Sequence, residues 1–332
     1  MFGSKWYLHL SGVVCQLPAS FNLRQRMLIR MLGGVMKARS EELDGQLFQE
    51  RIMPFMADAE KRQPVAIRIG DQIINLRRRT GSNGHFQEFI TLSHQELSDH
   101  IKIDDFGNQV VPFEAELDRK SGFQAQGLIY LLNKQGLSVI SDIDDTIKDS
   151  FVSDRQRLLS NTFLREFQII EGMADVYRAW SQFGASFHYV SSSPWQLLAP
   201  LTEMKVNHQF PLGTLHLRQY RLRDQFFQKM VLRRHGKSTA IRFLLDHWQQ
   251  RHFLLIGDSG EKDPEIYVKL FRKYPHRIKA VLIRDLHQRP IESERWRTLQ
   301  RRCPEGRLQK FKDADQLQEL ASQWLPGSSA DA

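Results

Sequence analysis

The sequence predicts a doubly wound parallel α/β domain preceded by a smaller β-sandwich domain, and three observations lead to this fold class. The chain has 332 residues, which is enough for about two domains. Residues 61–132 alternate apolar and polar positions with a period of two, between turns rich in Gly, Asn and Asp. From residue 137 onward, short and predominantly apolar runs alternate with stretches of helical periodicity. The first pattern is typical of antiparallel strands, and the second of parallel strands covered by helices on both faces.

The β-sandwich prediction depends on short apolar segments that are separated by turn residues such as Gly70-Asp71 and residues 81–84. These segments are residues 65–69, 73–76, 86–92, 110–117 and 127–132. Their length and spacing fit a small antiparallel sandwich. The predicted organisation is an unassigned mixed segment (1–60), a β-sandwich-like accessory domain (61–135), an α/β domain (136–326) and a disordered tail (327–332).

The α/β prediction depends on four apolar runs that have the length of buried strands. They are residues 137–140, 187–190, 253–256 and 280–283. Apolar residues at helical spacing around 173–180 and 241–248 supply helices to cover the sheet. Ligands of such sheets bind beyond the carboxyl ends of the strands. We therefore expect the functional residues directly after these runs.

Composition limits the class of protein. The chain carries 47 basic and 38 acidic residues, a net charge of +9, and no apolar run reaches the roughly 18 residues of a membrane-spanning helix. Residues 218–237 hold seven basic residues, which favours anionic partners such as phosphate esters, acidic lipids or nucleic acid; a solvated loop explains them equally well. Two distant cysteines, Cys15 and Cys303, fit a reducing compartment. The expected location is cytoplasmic, with peripheral attachment to a membrane as an option.

Residues 21–37 have the pattern of a basic amphipathic helix, with leucines and methionines on one side and arginines on the other. Such a helix can lie on an anionic membrane. Packing against the β domain is the favoured alternative, because Gly33-Gly34 interrupts the helical pattern.

Acidic residues follow two of the predicted strands. Asp142 and Asp144 come directly after the first, and Asp258 and Asp263 follow the third. Carboxylates that lie this close repel one another unless a cation intervenes, and their hard oxygen atoms are the ligands that Mg²⁺ prefers. The sequence therefore predicts a magnesium site at this edge of the sheet.

The same residues suggest chemistry on a phosphoryl group. Asp142 at the strand end has a carboxylate that can attack phosphorus, and Asp144 is placed to donate and accept a proton. Ser191, after the second strand, offers a hydroxyl group, and Lys237 offers a positive charge to phosphoryl oxygens. Lys237 is also compatible with an ordinary surface lysine at a helix start. It does not belong to a nucleotide P-loop, because Val231 stands where that motif needs its first glycine.

These residues resemble the four motifs of the haloacid dehalogenase-like phosphohydrolases, which here are Asp142-x-Asp144-x-Thr146, Ser191, Lys237, and Asp258 with Asp263. All four occur in order between residues 142 and 263. Residues 142–148 (DIDDTIK), 189–195 (YVSSSPW), 210–218 (FPLGTLHLR) and 256–267 (IGDSGEKDPEIY) are similar to the actin-patch phosphatidate phosphatase family, which is related to the lipins. The resemblance implies a haloacid dehalogenase-like sheet with a minimal cap. It also implies hydrolysis of phosphatidate to diacylglycerol at a membrane surface.

The resemblance further implies roles for individual residues. Asp142 is expected to form an aspartyl-phosphate, and Asp144 to act as general acid and base. Asp142, Asp258 and the backbone carbonyl group of Asp144 are expected to hold Mg²⁺, with Asp263 in direct or indirect support. The alternatives are the same chemistry on a phosphoprotein or soluble phosphomonoester, and a module that binds phosphatidate without turnover. Nucleic-acid binding lacks a stacking motif, and the sequence leaves the oligomeric state open.

Overall fold

The computed structural model describes residues 5–117, 124–152, 154–219, 236–287 and 290–325. The described residues within 1–22 and 53–133 form one compact unit, and those within 23–52, 134–218 and 225–332 form a second. The first unit is antiparallel and the second has a parallel sheet. The predicted combination of a parallel α/β sheet with a separate antiparallel part is therefore confirmed. The basic residues 220–235 and the tail 327–332 lie outside the described residues.

The elements are numbered along the chain. The strands are β1 (Lys5–Val13), β2 (Cys15–Gln16), β3 (Asp58–Ala59), β4 (Ala66–Ile69), β5 (Gln72–Asn75), β6 (His85–Ser93), β7 (Lys102–Ile103), β8 (Gln109–Glu116), β9 (Gln124–Leu131), β10 (Leu137–Ser141), β11 (Ser186–Pro194), β12 (Gly213–Arg218), β13 (His252–Asp258), β14 (Ile278–Arg284) and β15 (Leu308–Phe311). The helices are α1 (Leu23–Met36), α2 (Ser40–Asp44), α3 (Gln46–Ile52), α4 (His94–Ser98), α5 (Arg155–Phe163), α6 (Met173–Gln182), α7 (Leu198–Asn207), α8 (Gly236–His247), α9 (Asp263–Lys273), α10 (Ser293–Gln300) and α11 (Ala314–Ala321). Short 3₁₀ turns span Met53–Met56, Trp195–Leu197 and Ser322–Trp324.

The first unit is built from antiparallel strands. Strands β5, β4, β8 and β7 are neighbours in that order, and β9 pairs with β8. Strand β1 pairs with β6 along its whole length, from Lys5 opposite Ser93 to Val13 opposite His85. In β1, Trp6, Leu8 and Leu10 are buried at every second position, which is the signature of a strand with one face on a core. The first strand of the chain is thus part of the antiparallel unit.

The second unit contains a six-stranded parallel sheet in the order β12-β11-β10-β13-β14-β15. Strand β10 lies at its centre, and all five of its residues are buried. Because both faces of a doubly wound sheet are covered, such a strand needs apolar side chains on both sides. Its neighbours β11 and β13 pair with it in register, with Ser141 opposite Tyr189 and Ile256. The carboxyl ends of β10, β11 and β13 therefore lie side by side.

Helix α1 belongs to the second unit, where it packs against α5. Leu32, Gly33 and Met36 form its buried face, and the Met36 carbonyl group accepts hydrogen bonds from Gln156 Nε2 and Ser160 Oγ at 3.4 Å. Packing on the β domain was the expectation, but the observed partner is α5. Helix α1 continues through both glycines. A Cβ atom at Gly33 would lie 2.7 Å from Leu43 Cδ1 of α2, so this glycine permits a close approach instead of ending the helix.

In the part of the chain that the structure describes, no helix combines the length and the apolar character needed to cross a bilayer.

Candidate active site

The site begins at the carboxyl end of β10. The Asp142 amide donates to the Ile256 carbonyl group at 2.8 Å, which extends the pairing of β10 with β13 by one residue. The Asp142 side chain is 1% exposed, and its Oδ2 accepts a hydrogen bond from Thr146 Oγ1 at 3.2 Å. The last strand contact thus fixes the position of this carboxylate.

Asp145 shapes the loop that follows. Its φ of +56° is in the left-handed region, which aspartate tolerates better than most residues. Its carboxylate accepts backbone N–H groups of Ser150, Phe151 and Val152, each at 2.8 Å. All of these are contacts within the loop. Asp145 therefore folds residues 145–152 back on themselves, although the sequence groups it with the acidic residues of the site.

Asp144 lies in a buried network of donors. Lys148 Nζ is 2.8 Å from its Oδ1, and the hydroxyl groups of Ser150, Ser191 and Ser193 donate to its two oxygen atoms at 2.7–2.9 Å. Burial acts to raise the pKa of Asp144, but the Lys148 ammonium group and the hydroxyl donors outweigh it and hold this pKa well below its usual range. These contacts favour the ionised form of the carboxylate and hold it in one orientation.

The second acidic stretch follows β13. Asp258 Oδ1 accepts the backbone N–H groups of Gly260 and Glu261 at 2.7 and 3.0 Å, which turns the loop toward α9. Asp263 is the first residue of that helix and is fully buried. It passes close to Gly257, where an added Cβ atom would lie 2.4 Å from Asp263 Oδ2. Glycine at position 257 is what allows the Asp263 carboxylate to reach the strand end.

Lys237 comes from the first turn of α8 and is buried. Its Nζ lies 2.8 Å from Asp142 Oδ1, 2.6 Å from Asp263 Oδ1 and 3.2 Å from Glu261 Oε2. Burial acts to lower the pKa of Lys237, but the three carboxylates outweigh it and raise this pKa well above its ordinary value. The sequence was also compatible with a surface position for Lys237, but the structure places this lysine among the acidic residues.

Asp142, Asp258 and Asp263 form a buried acidic cluster, with one oxygen atom of each within 4.8 Å of the others. Burial raises the pKa of all three carboxyl groups. Repulsion from neighbouring aspartates adds to this at Asp142 and Asp258, and repulsion from Glu261 adds to it at Asp263. Asp258 Oδ2 and Asp263 Oδ2 are buried without a hydrogen-bond donor among the described residues. Lys237 supplies one positive charge against these three carboxylates and that of Glu261. The uncompensated charge and the hard oxygen donors fit a divalent metal ion.

The six residues singled out in the sequence occupy two adjoining groups. Asp142, Asp258, Asp263 and Lys237 make up the first, with ion pairs of 2.6–2.8 Å from Lys237 to two of the aspartates. Asp144 and Ser191 make up the second, where the Ser191 hydroxyl group donates to Asp144 Oδ2 at 2.9 Å. The carboxylate of Asp144 forms its ion pair with Lys148. The predicted metal ligand at this residue is the backbone carbonyl group of Asp144.

Two arginines near the site were missed by the sequence analysis. Arg295 of α10 donates to the carbonyl groups of Ser259 and Glu261 at 3.1 and 2.9 Å, and it forms a two-pronged ion pair with Glu265. Arg284, at the end of β14, donates to the Asp145 carbonyl group at 2.9 Å. Both arginines hold backbone of the loops that carry the acidic residues. Arg284 directly follows a predicted strand, which is the signal that could have identified it; Arg295 carries no such signal.

Comparisons with known proteins concern the second unit. Residues 137–285 match the family model described as "Phosphatidate phosphatase APP1, catalytic domain". The chain is 36% identical over 162 residues to an uncharacterised protein of Schizosaccharomyces pombe, which covers 47% of this chain and 26% of that protein. It is 35% identical over 154 residues to Phosphatidate phosphatase APP1 of Saccharomyces cerevisiae, covering 45% of this chain and 26% of that protein. The chain thus spans about a quarter of the length of these curated relatives.

A solved structure, that of a mutant of the PilB minor pilin from Streptococcus sanguinis, aligns with 91% of this chain and 95% of its own, at 10% identity and a TM-score of 0.29. That score does not establish a shared fold. The family match, in contrast, contains Asp142, Asp144, Ser191, Lys237, Asp258 and Asp263. Residues 137–285 are therefore similar to the catalytic domain of the actin-patch phosphatidate phosphatase family.

Proposed function

We propose that the protein is a Mg²⁺-dependent phosphatidate phosphatase with a haloacid dehalogenase-like fold, which releases phosphate and diacylglycerol through an aspartyl-phosphate on Asp142. The observation that carries the proposal is the arrangement at the end of β10. Asp142 lies 2.8 Å from Lys237 Nζ and shares the acidic cluster with Asp258 and Asp263. The family match over residues 137–285 supports phosphatidate as the substrate.

In the first step, a carboxylate oxygen of Asp142 attacks the phosphorus atom, and the bond between phosphorus and the ester oxygen breaks. Asp144, in its protonated form, gives its proton to the departing alkoxide. Lys237 is placed to stabilise the negative charge that spreads over the phosphoryl oxygens. Diacylglycerol leaves, and the phosphoryl group stays on Asp142.

In the second step, a water molecule attacks the phosphoryl group, and the bond between phosphorus and Asp142 breaks. Asp144 accepts the proton of that water, and inorganic phosphate is released. Lys148 and the hydroxyl groups of Ser191 and Ser193 favour the ionised form of Asp144, which is the form that accepts a proton. The proton then returns to an alkoxide in the next turnover, so the two steps balance.

The metal ion would be held by the carboxylates of Asp142 and Asp258 and by the Asp144 backbone carbonyl group, with Asp263 in support. When bound, it neutralises charge on the phosphoryl oxygens and orients them for in-line attack. Among the described residues, Asp258 Oδ2 and Asp263 Oδ2 have no hydrogen-bond donor, which supports Asp258 as a ligand and Asp263 in its supporting role.

A lipid substrate fits the segment that connects β10 with β11. Its described residues form the folded loop after Asp142, then α5 and α6, and they contain no inserted cap domain. A site with a minimal cap admits a headgroup at a bilayer surface. A phosphoprotein or a soluble phosphomonoester would also reach such a site, so these remain the alternative substrates, and non-catalytic binding of phosphatidate is the alternative function.

Turnover of phosphatidate in mixed micelles, measured beside a soluble chromogenic phosphomonoester, tests the substrate. We expect the lipid to be the better substrate by at least about tenfold in kcat/KM, and activity to be lost on chelation and restored by Mg²⁺. Equal efficiency on both substrates would point to a general phosphatase. Specific binding of phosphatidate without phosphate release would point to a binding module.

Substitution tests the mechanism. Asp142→Asn is expected to abolish turnover and the hydroxylamine-sensitive phosphate that acid-quenched enzyme should carry, whereas Asp144→Asn should lower kcat by about 10²–10⁴-fold. Asp175→Asn, on the exposed surface of α6, is the matched control and should leave kcat unchanged. Retention of the phosphoenzyme in Asp142→Asn would contradict the assignment of the nucleophile.

A further inference from the structure

Helix α1 exposes an apolar row on its outer face. The side chains of Leu23, Met27 and Met31 are 86%, 65% and 51% exposed, whereas Leu32 and Met36 on the opposite side are buried. Because residues four apart lie one above the other on a helix, the three exposed side chains form a continuous stripe over two turns. A stripe of three large apolar side chains in water needs an explanation that single exposed residues do not.

Arginines flank this stripe. With 3.6 residues per turn, Arg24 lies on one side of the row, and Arg26 and Arg30 lie on the other. Helix α1 itself contains no aspartate or glutamate. The exposed face is therefore apolar in the middle and cationic along both edges.

We propose that α1 lies in the headgroup region of a membrane that contains anionic lipid, with Leu23, Met27 and Met31 inserted among the acyl chains. Long arginine side chains on the flanks can reach up to lipid phosphate groups while their methylene groups stay near the apolar boundary. The charge pattern favours a lipid surface over a second copy of this chain, because two such helices would bring six arginines together.

The position of α1 in the fold links it to the candidate active site. Its C-terminal residue, Met36, accepts hydrogen bonds from Gln156 and Ser160 of α5. Helix α5 begins at Arg155, shortly after the loop whose N–H groups of Phe151 and Val152 are held by Asp145. A membrane-bound α1 is thus joined through one helix to the loop after Asp142. The advantage of this arrangement rests on the proposed lipid substrate, although binding to a membrane can be measured without turnover.

Sedimentation of the full chain with sucrose-loaded vesicles tests the proposal. The vesicles contain either phosphatidylcholine alone or phosphatidylcholine with 30% phosphatidylserine, so that the proposed substrate is absent and EDTA can be present throughout. We expect binding to the anionic vesicles that weakens as salt is raised. The triple variant Leu23→Gln, Met27→Gln, Met31→Gln should bind at least about tenfold more weakly, because glutamine keeps the helix and removes the apolar stripe.

Phe183→Gln, Val206→Gln is the matched control, since these side chains are 56% and 55% exposed and belong to the same unit. It should bind as the wild type does. Arg24→Gln, Arg30→Gln should reduce binding and its dependence on salt. The proposal is overturned if the triple variant binds like the control, if neutral and anionic vesicles bind equally, or if light scattering shows that the stripe instead holds two copies together.

Activity on a soluble phosphomonoester shows whether the variants remain folded and separates this inference from the proposed function. If the wild-type protein releases phosphate from phosphatidate and the triple variant binds vesicles as the wild type does, only the proposed role of α1 is contradicted. If vesicle binding depends on the stripe but the protein releases phosphate from no ester, only the proposed phosphatase activity is contradicted.

Discussion

Lys148 Nζ lies 2.8 Å from Asp144 Oδ1, and both side chains are buried. The two residues are four positions apart: Asp144 directly precedes the loop that Asp145 folds, and Lys148 lies within that loop. A buried ion pair of this kind is costly to break, because either partner alone would be an uncompensated charge. Lys148 therefore determines both the orientation and the charge of the carboxyl group to which we assign proton transfer.

Replacing this lysine should damage catalysis and stability together. Lys148→Met is expected to lower kcat at least about tenfold and to reduce the free energy of unfolding by about 3 kcal/mol, because Asp144 would lose its ionic partner. The double variant Lys148→Met, Asp144→Asn should recover part of that stability, as both charges are then gone. Chemical denaturation of the three proteins measures this, and a double variant no more stable than Lys148→Met would contradict the pairing.

Gly257→Ala should displace Asp263, because the new methyl group would lie 2.4 Å from Asp263 Oδ2 and 2.8 Å from Tyr267 Cε2. We expect a loss of about 1–3 kcal/mol of stability from overpacking, and a higher Mg²⁺ concentration for half-maximal activity. Gly34→Ala is the control, since a Cβ atom there meets nothing within 4 Å. It should leave activity unchanged and stabilise α1 by about 0.5–1 kcal/mol. Normal Mg²⁺ dependence in Gly257→Ala would show that Asp263 does not support the metal.

Arg295→Met should weaken the metal site from outside the acidic cluster. The variant loses the hydrogen bonds to the Ser259 and Glu261 carbonyl groups, which hold the loop between Asp258 and Asp263. Removing such outer supports typically costs about 10–100-fold in metal affinity or activity. Titration of activity with Mg²⁺ measures the change. Arg297→Met on the same helix is the control, because its guanidinium group donates to the Ser293 carbonyl group within that helix. Equal effects of the two variants would refute the role of Arg295.

The buried Lys205 should make the free energy of unfolding depend on pH. Burial lowers the pKa of this lysine from 10.5 to about 7, where its Nζ lies 4.4 Å from the centre of the Tyr189 ring. Since the folded-state pKa is depressed, the charge of Lys205 does not affect stability above pH 10.5, where the amine is neutral in both states. As the pH falls from 10.5 to 7, this charge destabilises the fold increasingly, and the destabilisation is complete below pH 7.

Lys205→Met is therefore expected to be more stable than the wild type below pH 7, by up to about 5 kcal/mol, with an advantage that fades toward pH 10.5. Urea unfolding between pH 6 and 10 checks the profile. Lys269→Met, at an exposed position on α9, is the control. A constant difference between Lys205→Met and the wild type across this range would mean that Lys205 is solvated.

The strands at the centre of the parallel sheet could be predicted from the sequence, and those at its edges could not. The runs at 137–140 and 253–256 are apolar because β10 and β13 are covered on both faces. Strands β12 and β15 are edge strands with partly exposed residues, and their mixed composition lacks that signal. The pairing of β1 with β6 joins residues about 80 positions apart, which local periodicity does not encode.

The candidate site shows a similar division. The acidic residues and Lys237 could be selected from motifs, since each follows or precedes a recognisable element. The difference between Asp144 and Asp145 could not, because it depends on the left-handed backbone at Asp145. The contacts of Lys148 and Arg295 depend on side chains that meet in three dimensions. The mechanism, the bound Mg²⁺ and the residue roles stay predictions for the experiments above.

The place of Asp142 in the sheet has a consequence for how the protein loses activity. Its amide continues the hydrogen bonding of the central strand, so fraying at either outer edge leaves the carboxylate where it is. Amides of β10 should exchange with deuterium only through global opening of this unit, as expected for the most protected strand of a sheet. Thermal inactivation and cooperative melting of the unit should then follow the same curve.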